Sequence, residues 1–161
     1  MTAHGVAARI VRPVSGQRYR KVAIVGSRPP NPKRVADRDW QAYWSLVERA
    51  RQHVRALPPG TIVVSGGARG VDIEAEREAK RCGLNVEIHY PRWLEHGKAA
   101  GYLRNMDIIR AADRVSAFWY ARTRGTRHSI ACALDMEKPL LVHDELGWMN
   151  DDQLVSSMLL D

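Results

Sequence analysis

The chain has 161 residues and only two cysteines, Cys82 and Cys132. Both fall inside helical patterns, with no Cys-x-x-Cys pair and no Cys/His cluster. That argues against a disulfide scaffold and against a zinc site. The expectation is two small core thiols in a cytoplasmic protein with no metal. No apolar run approaches the ~20 residues a bilayer span needs, so no membrane partner is expected. The first nine residues lack the apolar core of a secretory signal. Low-complexity tracts and internal repeats are absent. So are the metalloprotease helix motif, the serine nucleophile elbow and the Gly-Lys-Ser/Thr ending of a Walker loop. After the first apolar run the chain reads Gly26-Ser27-Arg28-Pro29-Pro30, not Gly-x-Gly-x-x-Gly. A conventional NAD dehydrogenase is therefore disfavoured, and no cofactor is expected.

Acidic residues are also in deficit. Lys and Arg total 25 against 18 Asp and Glu, a net charge of +7. A basic protein with more Arg than Lys suits an anionic partner, because guanidinium matches two phosphate oxygens at once. Hydrophobic residues make up 45% of the chain, enough for one globular domain with a real core.

Strand and helix patterns alternate along the chain. Short apolar runs at 22–25, 61–64, 86–90, 115–119 and 140–143 read as buried strands. Helical faces follow at 40–57, 71–82, 103–112 and 130–134, and a weak amphipathic helix closes the chain. Asp39 is the expected cap of the first of these, and Gly83 the stop of the second. Residues 91–101 read as an irregular basic loop. This order predicts an α/β fold: a single Rossmann-like, doubly wound, mostly parallel five-stranded sheet with helices on both faces. Residues 1–19 are expected as a flexible lead-in, 20–143 as the domain and 144–161 as a helical tail. The Trp40/Tyr43/Trp44 stripe reads as core or as the interface of a homodimer.

Ligands of such sheets sit outside the carboxyl ends of the strands. There the chain offers Gly26, Ser27 and Arg28, then Ser65, Gly66, Gly67, Arg69, Gly70 and Asp72. The glycines permit positive φ and close backbone approach, and the helix that follows offers free N–H groups to an anion. Asp72 reads either as a first-turn carboxylate or as an acceptor for a ribose hydroxyl. Arg124, Gly125 and Thr126 make a second anion seat, with Thr126 as a helix cap and phosphate donor. Arg104 and Asn105 open a further helical face within reach of these loops. The histidines show no metal spacing, and no catalytic residue is assigned.

Several of these segments occur together in one known group. Val-Gly-Ser-Arg at 25–28, Ser-Gly-Gly-Ala-Arg-Gly-Val-Asp at 65–72 and Pro-Arg-Trp at 91–93 come first. Gly-Lys-Ala-Ala-Gly at 97–101, Arg-Asn-Met at 104–106, Ala-Asp-Arg-Val at 112–115 and Arg-Gly-Thr at 124–126 complete the series. From about Lys21 to His143 the chain resembles the YspA/YpsA-like (YAcAr) branch of the SLOG superfamily of Rossmann-like nucleotide-binding proteins. That superfamily also holds the DNA processing protein A family and the cytokinin-activating "lonely guy" phosphoribohydrolases. The resemblance implies a pocket between the 65–72 loop and the start of the helix at 124–126. It does not fix an activity. The phosphoribohydrolases carry Pro-Gly-Gly-x-Gly-Thr-x-x-Glu at the second loop. Aligned on Gly125-Thr126, this chain has Ser129 in place of that glutamate and lacks the glycine pair. Three readings follow. One is a binding module or sensor for a nucleotide or nucleotide-derived phosphate. Another is an N-glycosidic or phosphoribosyl hydrolase using Asp72 or Glu74. The last is a single-stranded nucleic-acid binder.

Overall fold

A computed structural model describes residues 1–160. Six strands run in the order of the chain: β1 (Lys21–Gly26), β2 (Ile62–Ser65), β3 (Asn85–Ile88), β4 (Arg114–Phe118), β5 (Leu140–Asp144) and β6 (Gly147–Trp148). They form one sheet in the order β3-β2-β1-β4-β5-β6. The first five strands are parallel and β6 is antiparallel to β5. The α/β class and the mostly parallel sheet agree with the sequence expectation. The strand number does not: the described residues form six strands, not five. β6 is a two-residue strand with no periodicity to read. It forms because the Asp144 carboxylate accepts the N–H groups of Leu146 (2.9 Å) and Gly147 (3.2 Å), which folds the chain back on itself.

The helices are α1 (Ala3–Ala7), α2 (Asp37–Arg55), α3 (Val71–Arg81), α4 (Trp93–His96), α5 (Ala100–Ala111), α6 (Arg124–Asp135) and α7 (Asp151–Leu159). Side chains of β1 alternate between two cores, as a strand buried on both faces must. Val22 and Ile24 meet Tyr43, Leu46 and Val47 of α2 and Val71 and Ala75 of α3. Ala23 and Val25 join Ile108 and Ile109 of α5, Ile130 and Leu134 of α6 and Leu154 of α7. Gly26 lets α3 come close to β1, since a Cβ there would lie 2.6 Å from the Val71 side chain. No helix is long and apolar enough to cross a membrane among the described residues.

In four places the local structure differs from the sequence expectation. α2 begins at Asp37 behind Ala36, so Asp39 lies in the first turn and is not the cap. The stretch 91–101 is not irregular: it holds α4, a 3-10 turn (Gly97–Ala99) and the start of α5. Thr123, not Thr126, is the residue before α6. Cys82 is exposed, while Cys132 is buried as expected. Tyr43 is fully buried in its own core, which leaves only the half-buried Trp40 and Trp44 of that stripe for any partner.

Both chain ends pack together. Val6 is buried in the core beside α7, and Val11 bridges to Pro139. Arg12 donates to Asp151 at 2.6 Å. An Asn150–Gln153 capping box starts α7.

Candidate functional site

The connection leaving β1 leads to β2, whereas β4 pairs with β1 on the other side. The strand order therefore reverses between β1 and β4, and a crevice opens outside their carboxyl ends. A cleft of about 400 Å³ lies there.

Ser27 builds its floor. The Ser27 N–H donates to Phe118 O (3.0 Å) and its carbonyl accepts from the Tyr43 hydroxyl (2.7 Å). Its hydroxyl accepts the Tyr120 N–H at 2.9 Å and lies 2.6 Å from Thr123 Oγ1. Ser27 thus ties the end of β1 to the loop that enters α6. That loop is tightly wound: Ala121 and Arg122 both have positive φ (49° and 51°). Arg122 pairs with Asp144 at 3.1 Å and lies over the Trp119 ring, and the Glu145 carboxylate accepts the Ala121 N–H. These contacts hold the amino end of α6 against the cleft, where Gly125, Thr126 and Ser129 form one wall.

Asp72, in the first turn of α3, and Arg104, on α5, meet across Gly66. Arg104 donates to the Gly66 carbonyl and, at 3.1 Å, to Asn105 Oδ1. The Asp72 carboxylate accepts the Ala68 N–H at 3.3 Å. A Cβ on Gly66 would lie 2.7 Å from the Arg104 guanidinium and 3.0 Å from Asp72 Oδ2, so any side chain there must displace one of them. Burial pushes the Asp72 carboxyl up to about 7, against the opposing pull of the Ala68 N–H and of Arg104. Burial also lowers the Arg104 pKa. Among the described residues Asp72 is the only carboxyl on the cleft wall, beside the cations Arg28, Lys98 and Arg104. At neutral pH the cleft is a positive site with one carboxyl near its own titration point.

Eight of the fourteen residues singled out from the sequence line the cleft: Gly26, Ser27, Arg28, Asp72, Arg104, Asn105, Gly125 and Thr126. The other six do not. Ser65 is buried and donates to Glu76 at 2.7 Å. Gly66 lies behind Arg104. Gly67 and Gly70 have positive φ (68° and 91°) and are crowded by Tyr90 and Tyr43, respectively. Their glycines answer to packing within the protein. Arg69 and Arg124 are exposed and lie outside the walls.

Sequence reasoning missed Trp93, Lys98 and Tyr102, which complete the wall. Trp93 and Tyr102 are about half exposed, at 52% and 48%. Tyr102 packs edge-on to His128 with ring centres 4.5 Å apart. The lone tryptophan in a basic stretch was the available signal. No group of three or more metal-ligating side chains occurs among the described residues.

The Gene 61 protein of Mycobacterium phage D29 is 39% identical over 115 residues, covering 68% of this chain and 84% of the phage protein. The chain belongs to the family of that phage protein. No family model matches it. Among solved structures, TM1055 superposes with a TM-score of 0.54 at 22% identity, over 75% of this chain and 72% of that one. DNA processing protein A of Streptococcus pneumoniae gives 0.55 at 19% identity, over 77% of this chain but only 50% of that one. DNA processing protein A of Helicobacter pylori, which binds single-stranded DNA, gives 0.52 at 22%, over 86% and 80%. These likenesses establish a shared Rossmann-like fold.

Proposed function

We propose that the protein binds a nucleotide or nucleotide-derived phosphate in the cleft outside β1 and β4, as a member of the YspA/YpsA-like branch of the SLOG superfamily. The observation that carries this reading is the composition of one wall system. Arg28, Lys98 and Arg104 supply positive charge, the first turn of α6 supplies N–H groups, and Trp93 and Tyr102 supply aromatic surface. A phosphate sits toward the cations and the amino end of α6, and a base packs on the aromatic side. Calorimetric titration with adenosine 5′-monophosphate and related mononucleotides tests this. Arg28→Ala and Lys98→Ala should each weaken binding on the order of tenfold, since a charge-assisted contact is worth about 1.5–3 kcal/mol. Undiminished binding in both folded variants would remove the cleft as the site.

A second reading, single-stranded nucleic acid, is favoured by the +7 charge and by the half-exposed aromatics at the cleft mouth. Oligonucleotide binding without mononucleotide binding would select it. A hydrolase reading rests on Asp72, the one carboxyl in the cleft. Ser129 lines the wall but carries no carboxylate to act as acid or base. Base release from nucleoside monophosphates, lost in Asp72→Asn, would select that reading.

A further inference from the structure

A second hollow, of about 440 Å³, lies on the other side of the sheet. Its walls are Arg49, Gln52 and His53 of α2, His143 of β5, and Leu146, Gly147 and Trp148 of the β5–β6 hairpin. It exists because the helices on that face, α2 and α3, pack over the β1 half of the sheet and leave the β5–β6 edge open. Two imidazoles face it, each fixed through one ring nitrogen. His53 Nε2 lies 2.8 Å from Ser116 Oγ, and His143 Nδ1 donates to the Asp144 carbonyl at 2.7 Å. Their other nitrogens, His53 Nδ1 and His143 Nε2, have no protein hydrogen-bond partner among the described residues. Neither is a fully buried unpartnered atom, and both residues line the hollow.

Aromatic surface surrounds these nitrogens. Trp148, 47% exposed, packs against both imidazoles with ring centres 5.3 and 4.9 Å away. Phe118 lies against His53 and His143, each at 5.8 Å. Among the residues that line the hollow, Arg49 carries the charge. Arg49 is exposed on the rim and donates only to Gln52, at 3.3 Å. Arg114 projects from the same face of β4 as Ser116, two residues away, with its guanidinium over the Tyr19 ring, 5.8 Å from the ring centre. Its Nε is buried with no hydrogen-bond partner among the described residues. No carboxylate pairs with either arginine among the described residues, although the acidic side chains of the neighbouring α2–α3 surface are nearly all paired. Glu48, Glu74 and Glu78 bind Arg51, Arg55, Arg77 and Arg81. The Asp144 carboxylate is engaged by the hairpin N–H groups and Arg122.

We propose that this hollow is a second binding site, for a planar aromatic ring bearing a carboxylate or a phosphate. The ring packs on Trp148 and offers N–H or amine hydrogens to the free imidazole nitrogens. The anionic group faces Arg49. A hollow of this size holds one mononucleotide-sized molecule. The site is independent of the cleft at β1 and β4 and stands or falls without it.

The imidazole resonances make the test local. His53 and His143 report the hollow, whereas His128, beside Tyr102, reports the cleft. The intact protein is titrated by NMR with adenosine 5′-monophosphate, indole-3-carboxylate and uncharged adenosine. The expected result is saturable movement of the His53 and His143 signals below about 1 mM with at least one of the two anions, and at least tenfold weaker binding of adenosine than of adenosine 5′-monophosphate if that is the anion bound. Saturable movement with either anion supports the site. Arg49→Glu, at an exposed helix position, should leave the fold intact and weaken binding at least tenfold. Trp148→Ala should do the same. If neither anion moves His53 and His143, or if Arg49→Glu binds as tightly as the parent, the proposal is wrong.

Discussion

Asp72 is buried at 5% exposure in a position where its charge is poorly solvated. Its folded-state pKa of about 7 stands above the ordinary value of 3.8, so the folded protein holds a proton there that the unfolded chain gives up. Between these two values the native state binds more protons than the unfolded one. Stability from this group is therefore complete below about pH 4 and declines as pH rises to about 7, staying lower above that. Asp72→Asn keeps the shape and removes the ionisation. It should raise stability at pH 8 by an amount on the order of a few kcal/mol and change little at pH 3.5. Denaturant melts at the two pH values measure this. Destabilisation at pH 8 that exceeds the effect at pH 3.5 would mean that the charged carboxylate is what the fold requires. The sequence left Asp72 undecided between a helix-terminal role and a ligand role. Its position opposite Arg104 depends on a contact between α3 and α5 that no local pattern encodes.

The loop from β2 to α3 shows how an element is specified by its neighbours. Its glycines were legible as a tight turn, and the strand and helix on either side were legible from apolar runs and periodicity. The reason for each glycine was not. Gly70 has φ 91° and faces the Tyr43 hydroxyl, which in turn donates to Ser27 O. Gly70→Ala forces a left-handed alanine and drives its Cβ into that hydroxyl. Overpacking of this kind costs about 1–3 kcal/mol beyond the backbone strain. Tyr43→Phe removes the obstructing oxygen, so the double variant should be less destabilised than the sum of the two singles. A thermal double-mutant cycle reads the coupling, and strict additivity would show that the two groups do not meet. Gly67→Val should disturb Tyr90, whose ring its Cβ would approach to 2.7 Å, more than it disturbs the cleft. The short β6 and helix α4 were illegible for a simpler reason: elements of two and four residues carry no period.

At the scale of the molecule, the placement of charge separates the two leading ligand classes. The carboxylates Glu48, Glu74 and Glu78 are bound up with arginines on the α2–α3 surface, which leaves that surface close to balanced. The excess of the +7 charge includes cations at the carboxyl edge of the sheet. There Arg28, Lys98 and Arg104 line the cleft, with Arg69 and Arg124 outside its walls. A mononucleotide fills the cleft and meets the inner three. A single strand must leave the cleft and pass over the rim, where it meets the outer two as well. Five phosphate contacts on a single strand correspond to a slope of log affinity against log salt of about −3 to −4. The double variant Arg69→Glu/Arg124→Glu should then lower oligothymidine affinity by more than tenfold and flatten that slope, while leaving adenosine 5′-monophosphate affinity within about twofold. Fluorescence anisotropy with the oligonucleotide, repeated across a salt series, and calorimetry with the mononucleotide give both numbers. Equal losses for both ligands would place the outer arginines in the phosphate seat after all, and an unchanged oligonucleotide slope would take single strands off the carboxyl edge.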